Sequence, residues 1–251
     1  MLSRHQHSVK VRGWVTPMFQ YRFHPLKLLF LSCVVSLAFC GCENKETAPA
    51  NPSKVPESFH FMDIGANTVM DHNVRDRLRT TLGSDAVDRR STIDLELKYS
   101  GFLKTYYPDL AKLNQRLNIN DIVRKQYPAT RLTFRNTRQR NAIFDYVEFI
   151  YDHASGCPVL VKMIAKKEIP ELIETVKDKY GPPEQIPISE GKSWSLSWRK
   201  NKDMFVIARI IGRYDEPEYH MLIVYTNRLE QLLARSRNED QRNGKPADKL
   251  F

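Results

Sequence analysis

Cysteine is scarce in this chain and badly distributed for bridging. Four occur among 251 residues, and Cys33, Cys40 and Cys42 all fall within the first 42, so Cys157 stands alone in the rest. A disulfide framework inside the folded part is thereby excluded, unlike in small secreted domains that depend on one. Metal-ligand spacing is missing too. No two of His60, His72, His153 and His220 are spaced as His-x-x-x-His, and none adjoins a cysteine pattern. There is no Gly-x-Ser-x-Gly elbow and no glycine-rich phosphate loop. No apolar run approaches the roughly 20 residues of a spanning helix. Acid is absent from residues 1–41, which hold Arg4, Lys10, Arg12, Arg22 and Lys27. That segment supplies five of the ten net positive charges, leaving a mildly basic +5. A charge of that size does not demand a polyanion, and nucleic acid is not an expected partner.

What remains is globular in composition, with 41% hydrophobic and 10% aromatic residues. That suits one domain or two small ones. The opening reads as a processing signal: Arg22 and Lys27, then the apolar run Leu28 to Phe39, then small residues. Phe39-Cys40-Gly41-Cys42 resembles the lipobox of bacterial lipoproteins, with Cys42 in the obligatory position and Cys40 filling the small place before glycine. The other box, Leu37-Ala38-Phe39-Cys40, sets bulky Phe39 beside the cleaved bond. Plain secretion and an uncleaved signal anchor are the alternatives. The resemblance implies a diacylglyceryl group on the Cys42 sulfur and an acyl chain such as palmitate on its amine, enough for stable anchoring. Glu43 stands where many inner-membrane lipoproteins carry Asp. The resemblance therefore favours the outer membrane, facing the periplasm, over the inner membrane.

The chain divides accordingly. Residues 1–41 form a signal peptide, with Met18 as an alternative start, and 42–57 form a flexible, proline-bearing tether. Residues 58–235 form an α+β domain, and 236–251 a frayed charged tail. Val74, Leu78 and Leu82 mark one helix, and Leu110, Leu113 and Leu117 behind Pro108 another. TIDLEL (92–97) alternates as a strand does. Strands are expected at 131–135, 144–152 and 158–166, then a helix over 169–180 stopped by Gly181-Pro182-Pro183. Further strands follow at 193–200, 204–211 and 219–226, with Asn201-Lys202 as a tight hairpin, and then a helix from Asn227. The expected fold is thus antiparallel sheet with packed helices, in the order helices, then βββα-βββα. That order hints at a duplication for which no residue-level repeat speaks.

Few residues promise chemistry. Arg131, Arg135, Arg138 and Arg140 form a candidate anion-binding cluster, with 131 and 135 on one strand face. Asp152-His153 and the 215–220 loop, with Asp215, Glu216, Glu218 and His220, are the alternative: a periplasmic metal-dependent hydrolase. A solvated acidic turn is the blander reading. Cys157 in Ser155-Gly156-Cys157-Pro158 has no base nearby in sequence and reads as core, as do Trp194, Trp198, Tyr219 and Tyr225. Ile169 to Thr226 resembles the helix-then-three-strands plan of small bacterial lipoprotein modules, such as the barrel-assembly accessory lipoproteins. GFLKTYYPDLAKLNQRLN with the arginine-rich strand resembles uncharacterised Gram-negative envelope lipoproteins. Neither resemblance implies an activity or a cofactor. The expected protein is a non-enzymatic, membrane-anchored binding module with no bound metal. It would meet membrane lipid through Cys42, and another envelope protein, peptidoglycan or anionic headgroups through its domain.

Overall fold

A computed structural model describes residues 53–118, 124–135, 142–165, 168–189, 192–212 and 215–243. Cys42, Arg138 and Arg140 lie outside them. Helix α1 (His72–Leu82) starts where the Asp71 carboxylate accepts from the Val74 amide at 2.8 Å, and it buries Val74, Leu78 and Leu82. Strands β1 (Asp85–Asp88) and β2 (Ser91–Thr92) follow, then helices α2 (Phe102–Tyr106) and α3 (Pro108–Leu117). The leucines expected on one face of α3 are all buried. Next come β3 (Gln126–Tyr127), β4 (Ala129–Arg135), β5 (Tyr146–Asp152), β6 (Pro158–Ala165) and helix α4 (Pro170–Tyr180). Gly181, with φ 86°, ends α4, since only glycine takes that conformation without strain. The chain closes with β7 (Glu184–Ser189), β8 (Ser193–Lys200), β9 (Asp203–Ile211), β10 (Pro217–Val224) and helix α5 (Thr226–Asn243).

The fold is α+β. Eight strands form one antiparallel sheet in the order β1-β4-β5-β6-β10-β9-β8-β7, and β2 pairs with β3 apart from it. Two meanders meet where β6 pairs with β10, Met163 opposite Met221. The expected order βββα-βββα is not what is found. A seventh strand, β7, precedes β8, and β1 and β2 sit among the N-terminal helices. Strand β7 carries Pro187, which lacks a ladder donor and is tolerated because β7 is an edge. TIDLEL is extended but unpaired beyond Thr92. Its Leu95 amide donates to Asn114 Oδ1 at 2.9 Å instead of to a neighbouring strand. The last helix runs on past Arg235 to Asn243.

Both faces of the sheet are buried. One core cluster gathers Val147, Phe149, Val161, Met163, Phe205 and Ile207 with Leu78 of α1 and Ile173 of α4. The other gathers Ile150, Leu160, Val206, Ala208, Leu222 and Val224 with Leu113 of α3 and Leu229 of α5. Successive residues alternate between the clusters, as a pleated strand requires. Burial on both sides explains why these strands read as nearly continuous apolar runs. The two-residue turn Asn201-Lys202 has positive φ at both positions, 52° and 71°, the geometry that matches strand twist in a tight hairpin.

The start of the described chain is stitched to the domain by polar groups. Tyr225, fully buried, donates to the Phe59 and Ile64 carbonyls, both at 3.1 Å. Ser58 Oγ donates to Asp203 Oδ2 at 2.5 Å, and Asn201 Nδ2 to the Glu57 carbonyl at 2.8 Å. Arg228, 2% exposed, donates to the Ala66 and Ser53 carbonyls at 2.9 and 3.0 Å and to Asn67 Oδ1 at 2.7 Å. Residues 53–57, expected in the tether, thus belong to the folded body. Arg228→Ala would orphan these acceptors and is expected to cost about 3 kcal/mol. In limited proteolysis of that variant, cleavage within residues 53–67 should precede loss of the sheet; a melting temperature and digest like the parent's would refute this.

Candidate functional site

A polar cluster lies on one face of β4, β5, β6 and β10, beneath segment 92–98. Register brings it together: Glu148 of β5 pairs with Thr133 and Lys162, and His220 of β10 pairs with Ile164, one step along β6. Lys162 interrupts the run PVLVKMIA and shares its face with Leu160 and Ile164. Its ammonium donates to the Glu96 carbonyl at 2.7 Å. Burial pushes the Lys162 amine below the ordinary lysine value, while Asp94 and Glu148 pull the other way. Burial raises the Asp94 carboxyl, but Lys162, the Glu96 amide, Asn114 and Arg124 outweigh it and hold it low. Tyr146 donates to Glu148 Oε2 at 2.5 Å, and burial plus that carboxylate push its phenol up to about 12. Glu218 is ion-paired to Lys98, which holds its carboxyl below the usual range, and His220 Nε2 lies 3.3 Å away.

Arg131 joins this network instead of facing solvent. Its Nη2 donates to the Thr92 carbonyl at 2.5 Å, and its Nε lies 3.4 Å from Glu148 Oε2. Arg135 is exposed at the end of β4, opposite Tyr146, with no partner among the described residues. Of the four candidate anion ligands, one is therefore committed inside the protein and one is free. The other two lie outside the described residues.

The alternative hydrolase residues are dispersed. Asp152 is buried and accepts from the Ser155 amide at 3.0 Å, Ser155 Oγ at 2.7 Å and Arg235 Nη2 at 2.5 Å. It closes the β5–β6 turn, where Gly156 takes φ 65° and a Cβ would stand 3.0 Å from Val69 Cγ1. His153 is exposed, with Nε2 2.5 Å from Thr130 Oγ1. Among the described residues Asp215 reaches only Lys192, at 3.7 Å, and Gly212 donates to the Glu216 carbonyl at 2.8 Å. Only Glu218 and His220 of that loop come together. Among the described residues no three His, Cys, Asp or Glu side chains are grouped to hold a metal ion. Cys157 is buried, and burial pushes its thiol up, away from the nucleophilic thiolate. Trp198 is core, its Nε1 donating to the Gly181 carbonyl at 2.8 Å; Trp194 is half-buried, edge-on to Tyr219 at 6.1 Å.

Chemically the network resembles an acid–base site in composition, with perturbed Lys162 and His220 beside carboxylates. Its groups nevertheless bond to one another and to the backbone of 92–98, so its work is to hold that segment down. Asp94, Glu148 and Lys162 were not foreseen, although a lone lysine in an apolar strand is a readable sign that a buried partner awaits it. Burial keeps the His220 imidazole below its ordinary value, with Lys98 and Lys162 adding to the effect and Glu218 opposing it. The unfolded chain then takes up the proton first, so stability is lost as pH falls below about 6.5. Thermal melts on either side of that pH should show the loss in the parent and a smaller one in His220→Gln; equal slopes would refute it.

No protein-family model, no curated protein and no solved structure matches this chain. Among the described residues no helix is long and apolar enough to cross a membrane.

Proposed function

We propose that this protein is a lipid-anchored cell-envelope protein, acylated at Cys42, whose α+β domain acts as an interaction module and not as an enzyme. The Phe39-Cys40-Gly41-Cys42 sequence behind its apolar run carries the reading. Two structural features support it. The first is that the chain emerging from the anchor is secured where it meets the domain, through Tyr225, Arg228 and Asp203. A domain held by its N-terminal end bears any pull there. The second is that the most polar part of the sheet is spent on internal bonds, with Lys162 and Arg131 both bound to backbone carbonyls of the segment above them. The outer membrane, facing the periplasm, is the proposed location, and peptidoglycan, another envelope protein or anionic headgroups are the proposed partners. Arg135, with Arg138 and Arg140, remains the proposed anion-binding residue set. Mass spectrometry of the mature N-terminus tests the anchor. A peptide starting at Cys42 and carrying acyl mass is expected; an unmodified amine at any residue, or retention of Leu28 to Phe39, would refute it.

A further inference from the structure

The sheet has two ends, and its register separates them. At one end lie the β8–β9 hairpin, with Lys200 opposite Asp203, and the β10–α5 junction at Tyr225. At the other lie Arg135, Lys192 and Asp215. Ser53 is held at the first end, through Arg228 and Gln231. The hairpin at that end carries two exposed lysines, Lys200 and Lys202, and Lys54 follows Ser53 directly. None of the three has an ion-pair partner among the described residues. Lys54 and Lys202 flank a recess of about 600 Å³ whose one acid, Glu230, is engaged by Arg116 at 3.6 Å. Eleven residues lead from Cys42 to Ser53. At about 3.3–3.6 Å per residue they span at most about 40 Å.

We propose that this end of the domain, through Lys54, Lys200 and Lys202, docks on the anionic surface of the bilayer that holds Cys42. The proposal rests on the lipid-anchor reading. Two independent observations favour a lipid surface as the occupant. A short chain confines this end near the membrane, and its free cations are unpaired within the protein. Cations confined near an anionic leaflet are attracted to it, with a range of about a Debye length. Docking would leave the opposite end, with Arg135, turned toward the periplasm and free for a partner.

The test uses the acylated full-length mature protein in vesicles of phosphatidylcholine, alone or mixed with phosphatidylglycerol. An amine-reactive reagent is read out residue by residue by mass spectrometry. Labelling of Lys54, Lys200 and Lys202 is expected to fall about fivefold on the anionic vesicles, the factor for one cation brought to such a surface. Lys192, at the far end, should label equally on both. High salt, or Lys200→Gln with Lys202→Gln, should restore the labelling of Lys54. Flotation with the vesicles in high salt reports the anchor separately. Failure to float overturns the Cys42 reading and the docking with it. Flotation with equal labelling of all four lysines overturns the docking alone.

Discussion

Cys42→Ala is expected to abolish acylation entirely, leaving the protein on the membrane only through its uncleaved apolar run. A single acyl chain binds a bilayer with a constant of only about 10⁴ per molar, and each buried methylene adds about 0.8 kcal/mol, so multiple chains make release negligible. Alanine at 42 removes the sulfur that would carry the diacylglyceryl group. In the lipoprotein pathway that the sequence resembles, this also blocks cleavage before residue 42. The variant should therefore accumulate with Leu28 to Phe39 still attached, a larger species by mass. Cys40→Ala makes the matched control, because Cys40 would be discarded with the signal. It should be processed and anchored like the parent. If Cys40→Ala abolished acylation and cleavage and Cys42→Ala did not, the anchor would sit at the other box. If neither variant lost acylation or gained mass from a retained signal, the lipid-anchor reading would fail.

The sheet was legible in the sequence where one strand follows another through a short turn. Asn201-Lys202 and the 153–157 turn sit between apolar runs, and the strands on either side of each lie where periodicity places them. Less legible were elements decided by distant groups. TIDLEL alternates like a strand, with Ile93 and Leu95 fully buried, yet its backbone bonds to Asn114, Lys162 and Arg131 instead of a ladder. Those partners lie from 19 to 66 residues further along the chain. Propensity sees only neighbours. Strand β7 is not legible because Pro183 precedes it and Pro187 lies within it, and proline is compatible with an edge that only the assembled sheet defines. The arginine cluster shows the same limit at the site. Arg131 and Arg135 are indeed on one strand face, as spacing requires, but Glu148 and Thr92 claim the first and leave the second exposed. Spacing places a side chain on a face; its partners depend on which strand lies beside it.

Lys162 offers the sharpest test of whether the charge network is structural. Removing it by Lys162→Ala would leave Asp94 and Glu148 without their shared cation, the Glu96 carbonyl without its donor, and a gap between Leu160 and Ile164. The cost comes from the Glu96 carbonyl left without its donor and from losing a positive charge near two carboxylates. About 2 kcal/mol of destabilisation is expected, the side chain being only partly buried. Lys162→Met keeps the stem and separates charge from packing, so it should lose nearly as much. Adding Glu148→Gln to Lys162→Met removes one of the two carboxylates that attract Lys162 and should regain part of the loss, a coupling between neighbours. Denaturant unfolding measures all four proteins, with midpoints shifting and slopes unchanged. Hydrogen exchange across residues 92–98 locates the effect, since the clamp predicts that this segment opens first in Lys162→Met. A stability equal to the parent's, with 92–98 still protected, would show that the lysine does not hold the segment. Its depressed basicity beside two carboxylates would then be the signature of a catalytic or ligand-binding group, and the protein's non-enzymatic reading would fall with the clamp.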